Sequence, residues 1–230
     1  MELEKKELSQ YLSQFISETR MQRFHEVLEE RTRHITVVLE DIYQEHNASA
    51  VLRSCDCFGL QDVHFIENRN KYKISTDVDM GASSWLSINR ISGKEQNNTK
   101  KCLMDLKAQG YTIVATTPHE KDITLDQLDI TKKTALVFGT EIDGITDDVR
   151  KCADEFVRIP MYGFTESFNI SVSAALCMYD LSTRLRHSNV DYKLSEEEKE
   201  ELLLEWIKKS IKKCDLIIKD YMQKKAANLL

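Results

Sequence analysis

Between Ile35 and Arg186 the chain alternates two kinds of segment, and that alternation constrains its fold more than any other feature. ITVVLEDI (35–42), DVHFIE (62–67), SWLSINRI (84–91), YTIVATT (111–117), TALVFG (134–139) and EFVRIP (155–160) are short, apolar and rich in β-branched residues, as strands are. Between them, NASAVLRSCDCFG (47–59), TKKCLMDLKAQG (99–110), TDDVRKCAD (146–154) and a stretch running to about Arg186 have helical spacing. Parallel neighbours need long crossovers, so strands separated by helices predict an α/β fold with a mostly parallel sheet covered by helices on both faces. Asn47 is expected to cap the start of the first of these helices and Gly59 its end.

The flanks read differently. Residues 3–30 place Leu8, Leu12, Phe15, Phe24 and Leu28 at helical spacing with a break near the middle. HSNVDYKLS (187–195) reads as a linker, and residues 196–225 as one long amphipathic helix, acidic first and lysine-rich later. The expected division is a helical extension at 1–34, a central domain at 35–187, and a linker with a C-terminal helix at 188–230.

At 230 residues with 41% hydrophobic and 30% charged residues, the chain can bury a substantial core. No apolar run approaches the roughly 20 residues of a membrane span, and MELEKKELSQ lacks the pattern of a secretion leader, so a cytoplasmic location is expected. The six cysteines show neither a C-x-x-C pair nor zinc spacing, so reduced thiols and no metal are expected. A net charge of −6 does not announce a nucleic-acid binder, yet Arg20, Arg23, Arg31 and Arg33 cluster near the start and Lys208 and Lys212 near the end. Each run alone reads as a solvated helix face.

In an open parallel sheet, ligands bind outside the carboxyl ends of the strands. Two loops there, after residues 138 and 159, hold Gly139, Gly144, Pro160 and Gly163 in a chain with only seven glycines and two prolines. Gly139-Thr-Glu-Ile-Asp-Gly144 lacks the Lys-Ser or Lys-Thr of a phosphate loop, and its acids would repel phosphate. It suits a ligand whose adenine or ribose meets backbone groups. The second loop, GFTESFNISVSA (163–174), opens an apolar helix with Glu166, Ser167, Asn169, Ser171 and Ser173. Ser167 and Asn169 can each cap that helix, but one cap suffices and the surplus points to a ligand. Arg53 sits in an apolar stretch, where it is either functional or a surface arginine beside an acid such as Glu40.

Taken together, HNASAVLRSCDCFG, LVFGTEIDGI and IPMYGFTESFNISVSAA resemble the three signature motifs of the SpoU/TrmH branch of the SPOUT RNA 2'-O-methyltransferases, and GASSW (81–85) resembles a further segment of that family. The resemblance implies a deep trefoil knot at about 134–187, a homodimer, S-adenosylmethionine as methyl donor, and methylation of a ribose 2'-hydroxyl of RNA. By position it implies donor binding by Gly139, Glu141, Gly144, Ile159, Met161, Gly163 and Phe168, and catalysis by Arg53, Asn47, Ser167 and Asn169. Arg53 would reach the active site of the other subunit, orienting RNA and stabilising the developing alkoxide. Ser167 and Asn169 would orient the donor or the ribose.

The short helical ends resemble those of the enzymes that act on tRNA at guanosine 18 of the D-loop, with Arg20, Arg23, Arg31, Arg33, Lys208 and Lys212 gripping phosphates. Ribosomal RNA and the tRNA anticodon wobble nucleotide are alternative targets. An RNA-binding relative without catalysis is the alternative of another class, and neither membrane nor DNA is expected as a partner. Glu45-His46-Asn47 and Ser167-Phe168-Asn169 depart from the family's usual Pro-His-Asn and Ser-Leu-Asn without removing a polar group.

Overall fold

The computed structural model describes residues 2–93, 97–117, 123–140 and 143–227. The chain divides into two compact units, Thr32–Tyr192 and the pair Met1–Arg31 with Lys193–Leu230.

The larger unit runs β1 (Ile35–Glu40), α3 (Glu45–Phe58), β2 (Asp62–Ile66), α4 (Thr76–Asp79), β3 (Ser87–Ile91), α5 (Asn98–Ala108), β4 (Thr112–Thr116), β5 (Ile123–Thr124), β6 (Thr134–Phe138), α6 (Asp147–Cys152), β7 (Glu155–Arg158) and α7 (Ile170–Arg186). Among the described residues these form one seven-stranded sheet in the order β3-β2-β1-β6-β4-β7-β5, and every pairing is parallel. β1 and β6 lie side by side at its centre, and each of their residues is buried. Alternate residues of these strands point to opposite faces. Val37, Leu39 and Leu136 join the core with Leu52, Cys55, Met178 and Leu181 of α3 and α7. Val38, Ala135 and Val137 join the core with Leu103 and Leu106 of α5 and Val149 of α6. Burial on both faces explains why these strands are apolar without a polar alternate.

β6 is inserted between β1 and β4, so the order reverses there, and the crevice at such a switch opens at the carboxyl edge. The loops following β1, β2, β4, β6 and β7 all emerge at that edge.

Three local readings change in this unit. α3 begins at Glu45 with Gln44 as a cap residue that makes no side-chain cap bond, so Asn47 lies inside the first turn. Gly59 does end α3, at φ 78°. The strand expected at 84–91 is a 3-10 turn at Ala82–Ser84 followed by β3, because Asp79 binds the Ser83 N–H and hydroxyl and holds the chain in a turn. The two-residue β5 was not predicted, being too short to show a period.

The smaller unit contains α1 (Glu2–Ser13), α2 (Glu18–Leu28), α8 (Glu196–Ser210) and α9 (Cys214–Ala226). Ser195 and Glu198 form a reciprocal capping box at the start of α8. The single C-terminal helix expected is two helices, broken before Lys213, which takes φ 57°. A continuous helix would carry Tyr221 about 21 Å beyond Ile207. The break instead lets Tyr221 pack on Tyr11, with ring centroids 4.6 Å apart. Phe24 meets Trp206 edge to face in the same core.

Candidate active site

A cavity of about 440 Å³ opens at the carboxyl edge of the sheet, beside β4 and β6. The loop after β6 forms one wall. Thr140 N–H donates to Gly144 O at 2.9 Å and Gly144 N–H to Thr140 O at 3.1 Å, so the loop is pinched shut at its base. A Cβ on Gly139 would lie 2.1 Å from Gly144 O, inside the radius of any real contact, so only glycine fits there. Gly144 takes φ 67°, a conformation that glycine adopts without strain. Glu141, one of the predicted donor-binding residues, lies outside the described residues.

The opposite wall is the loop before α7. Asn169 caps that helix through its side-chain oxygen, which accepts from Ser171 N–H at 2.8 Å and from Ser171 Oγ at 2.6 Å. Its other end, Nδ2, donates to Asn47 Oδ1 at 3.2 Å, and Asn47 Nδ2 donates to Gln44 Oε1 at 3.1 Å. The asparagine read from sequence as the cap of α3 is therefore a buried bridge to the cap of α7. Ser167 makes no hydrogen bond among the described residues and is exposed on the cavity wall. The capping duty belongs to Asn169, and the Ser167 hydroxyl remains available to a ligand.

A smaller adjoining cavity shares Ser167 and Phe168 and adds Ile159 and Met161, giving one apolar end to an otherwise polar site. Gly163 is exposed and lines neither cavity among the described residues. Ser173, part of the polar surplus read from sequence, lines the main cavity, as do Thr116, Thr117 and Arg150, which were not singled out. The two threonines end a predicted strand at the carboxyl edge, which could have marked them. Arg150 reads as an ordinary helix charge.

The loop after β6 is tied to the end of β1 by a buried acid. Glu40, fully buried at the end of β1, accepts from Thr99 Oγ1 at 2.5 Å, Thr146 Oγ1 at 2.9 Å and Thr146 N–H at 3.3 Å. Thr146 caps α6 and follows the pinched loop, so Glu40 fixes where that loop ends. Burial pushes the Glu40 carboxyl above its ordinary range, against the hydrogen bonds from Thr99 and Thr146 that favour its charged form.

Arg53 is exposed on α3, does not line the cavity, and makes no hydrogen bond or ion pair among the described residues. Since Glu40 is buried and held by threonines, the reading of Arg53 as its partner is set aside. The six predicted phosphate contacts separate. Arg20, Arg23 and Lys212 are exposed, with Arg23 3.2 Å from Glu26, and Lys208 is partly buried. Arg31 is only 1% exposed and lies over the Trp206 ring, so it is part of the small unit's interior. Arg33 donates from Nε to Asp62 at 3.0 Å and serves the edge of the sheet.

A parallel α/β sheet with a polar cavity at its switch point, walled by a pinched glycine loop and a capped helix start, has the form of a ligand-binding site of the doubly wound class. Residues 34–179 match the SpoU rRNA Methylase family, and the chain belongs to it. It is 45% identical to the tRNA (guanosine(18)-2'-O)-methyltransferase of Borreliella burgdorferi over 90% of this chain and 92% of that one. It is 32% identical to the protein of the same name from Aquifex aeolicus, over 83% of this chain and 90% of that one. The crystal structure of the A. aeolicus TrmH/SpoU tRNA modifying enzyme superposes with a TM-score of 0.75, covering 85% of this chain and 98% of that one.

Proposed function

We propose that this protein transfers a methyl group from S-adenosylmethionine to the ribose 2'-hydroxyl of guanosine 18 in tRNA. The observation that carries the reading is the Asn169–Asn47 bond, which brings two signature motifs together at the wall of a cavity formed partly by the third. The target follows from the relatives named for it, which this chain matches along most of both lengths.

The residues present fit the donor. A cavity of about 440 Å³ lies within the usual range for a ligand of this size. The close approach of Gly139 to Gly144 presents bare backbone, and Thr116, Thr117 and Ser167 add hydroxyls. Ile159, Met161 and Phe168 supply an apolar surface for a purine. Gly139, Gly144, Ile159, Met161 and Phe168 would hold the donor, together with Glu141, while Gly163, off both cavities, would serve only the course of its loop. When bound, S-adenosylmethionine supplies an electrophilic methyl group on a sulfonium that departs as a neutral thioether.

The difficulty then lies with the hydroxyl, which is scarcely ionised near neutrality and needs a partner for its developing negative charge. Arg53 supplies that partner, its planar guanidinium gripping the ribose oxygen and a neighbouring phosphate. Asn47 and Asn169 hold the two walls in register, and Ser167 orients the ribose or the donor.

The Thr32–Tyr192 unit is the catalytic body, and the helical unit adds RNA contacts through Arg20, Arg23, Lys208 and Lys212. Residues 134–187 form the trefoil knot. Support comes from β6 lying between β1 and β4, and from Arg184, whose Nη atoms donate to Leu125 O at 2.9 Å and Leu128 O at 2.8 Å in the segment that precedes β6. The protein works as a homodimer. α7 leaves Val172, Leu176 and Tyr179 exposed at helical spacing, a stripe that a second copy covers while Arg53 of one protomer enters the cavity of the other.

The test is transfer of labelled methyl groups to unmodified tRNA and ribosomal RNA, with the product mapped. Label at ribose 18 of tRNA is expected, and label confined to ribosomal RNA would overturn the target.

A further inference from the structure

The loop after β2 carries charge that the chemistry above leaves unused. Residues 69–73 read Arg-Asn-Lys-Tyr-Lys, three cations and no acid in a chain of net charge −6. The loop is held from beneath. Asp41, buried and at φ 50°, accepts on Oδ1 the N–H groups of Asn68 at 2.7 Å, Arg69 at 2.8 Å and Asn70 at 3.3 Å. Asn70 Nδ2 donates to Asp41 O at 2.9 Å. Tyr72 turns inward, its N–H donating to Glu67 Oε1 at 2.9 Å and its ring stacked on Phe65 at 3.7 Å. Ser75 N–H donates to Ser49 Oγ on α3 at 2.8 Å.

Lys71 and Lys73 are exposed on either side of the buried Tyr72. Both ammonium groups are thus presented to solvent on a loop whose backbone is held from within.

The loop's neighbours place it on the rim of the cavity. At one end Arg69 Nη1 lies 3.5 Å from Asp143, a residue of the cavity wall, and Arg69 Nε lies 3.6 Å from Asp41. At the other, Lys73 lies 3.7 Å from Glu45, in the turn of α3 that carries Asn47. The pairs are long, and those of Arg69 with Asp143 and Lys73 with Glu45 are exposed on both sides, so they hold the cations weakly. Lys71 makes no ion pair among the described residues.

We propose that residues 69–73 form a phosphate-binding rail for the RNA strand that presents the target ribose, with Lys71 and Lys73 contacting the backbone beside it. The proposal rests on the methyltransferase reading. Phosphate contacts set register without reading bases, which suits a rim that must deliver a ribose to a cavity. Because Asp41 and Tyr72 hold the loop's backbone, little ordering entropy is lost on contact.

The test compares the full chain with K71Q/K73Q and with the control K132Q. Lys132 lies in the turn preceding β6, at the amino edge of the sheet. Binding of a tRNA transcript is followed by fluorescence anisotropy across a salt series, and S-adenosylmethionine binding by calorimetry. Neutralising two phosphate contacts should lower the salt slope by about 2 and weaken RNA binding about tenfold or more at moderate salt. Donor binding and the K132Q slope should stay unchanged. An unaltered slope and affinity in K71Q/K73Q would overturn the rail, as would an equal loss in K132Q. Failure of the parent chain to methylate tRNA would instead sink the functional reading, while the binding series still decides the rail.

Discussion

Asn169 Nδ2 donates to Asn47 Oδ1 at 3.2 Å, joining residues 122 positions apart. Each asparagine sits at the start of a helix, and those helices, α3 and α7, share one core through Cys55 and Met178. The wall of the cavity is thus anchored to the packing of two helices.

Asn169 and Ser167 should separate stability from function. Asn169→Ala removes a helix cap and should cost about 1 kcal/mol in urea unfolding, and it should abolish most methyl transfer. Ser167→Ala removes a hydroxyl with no hydrogen bond among the described residues. It should unfold like the parent chain yet lose transfer or donor binding. Unchanged kinetics in Ser167→Ala would remove this residue from the site.

Arg53→Ala should lower the transfer rate by about 10²–10³, the usual loss when one stabiliser of a developing oxyanion is removed, with donor binding intact. Arg53→Lys should recover little of it, because a point charge does not replace a planar fork. If Arg53 serves the other subunit, mixing Arg53→Ala with Asn169→Ala protomers should regain activity that neither has alone. No complementation in mixed dimers would place Arg53 in its own subunit's site or outside the reaction.

Gly139→Ala should disrupt the pinched loop, since its Cβ would lie 2.1 Å from Gly144 O and 2.5 Å from Ile145 N. Both are backbone atoms, so relief requires the loop itself to move. Donor binding by calorimetry should fall below detection, with stability reduced by about 1–3 kcal/mol. Parent-like donor binding would show that the loop is not part of the donor site.

Glu40 gives a pH signature. Burial, the largest influence, raises its carboxyl above the ordinary value of 4.5. A group raised on folding contributes stability that is complete below its unfolded value and is lost as pH rises through its folded value. Glu40→Gln removes that titration. The stability of the parent relative to Glu40→Gln should therefore fall as pH rises above 4.5, measured by urea unfolding at several pH values. A difference independent of pH would show that Glu40 is not raised.

The local code was legible. Short apolar, β-branched runs between helices of period 3.6 revealed the alternation that makes the sheet parallel, and Gly59, Gly139 and Gly144 marked special backbone positions before any contact was known. The polar surplus at 163–174 pointed to a ligand, and Ser167, Asn169 and Ser173 line one cavity with Gly139 and Gly144, whereas Asn47 joins it only through Asn169 and Arg53 lies off it. Partnership was not legible. Asn47 looks like a cap from its neighbours in sequence, yet its role is set by a residue 122 positions away. Arg31 looks like a surface cation until Trp206 covers it, and Lys213 interrupts a helix that periodicity alone would continue. Local periodicity is a property of the backbone, readable in a window of a few residues. The choice of partners comes from nonlocal packing, which gathers segments such as Asp41, the 69–73 loop and Asp143 only when β6 enters between β1 and β4.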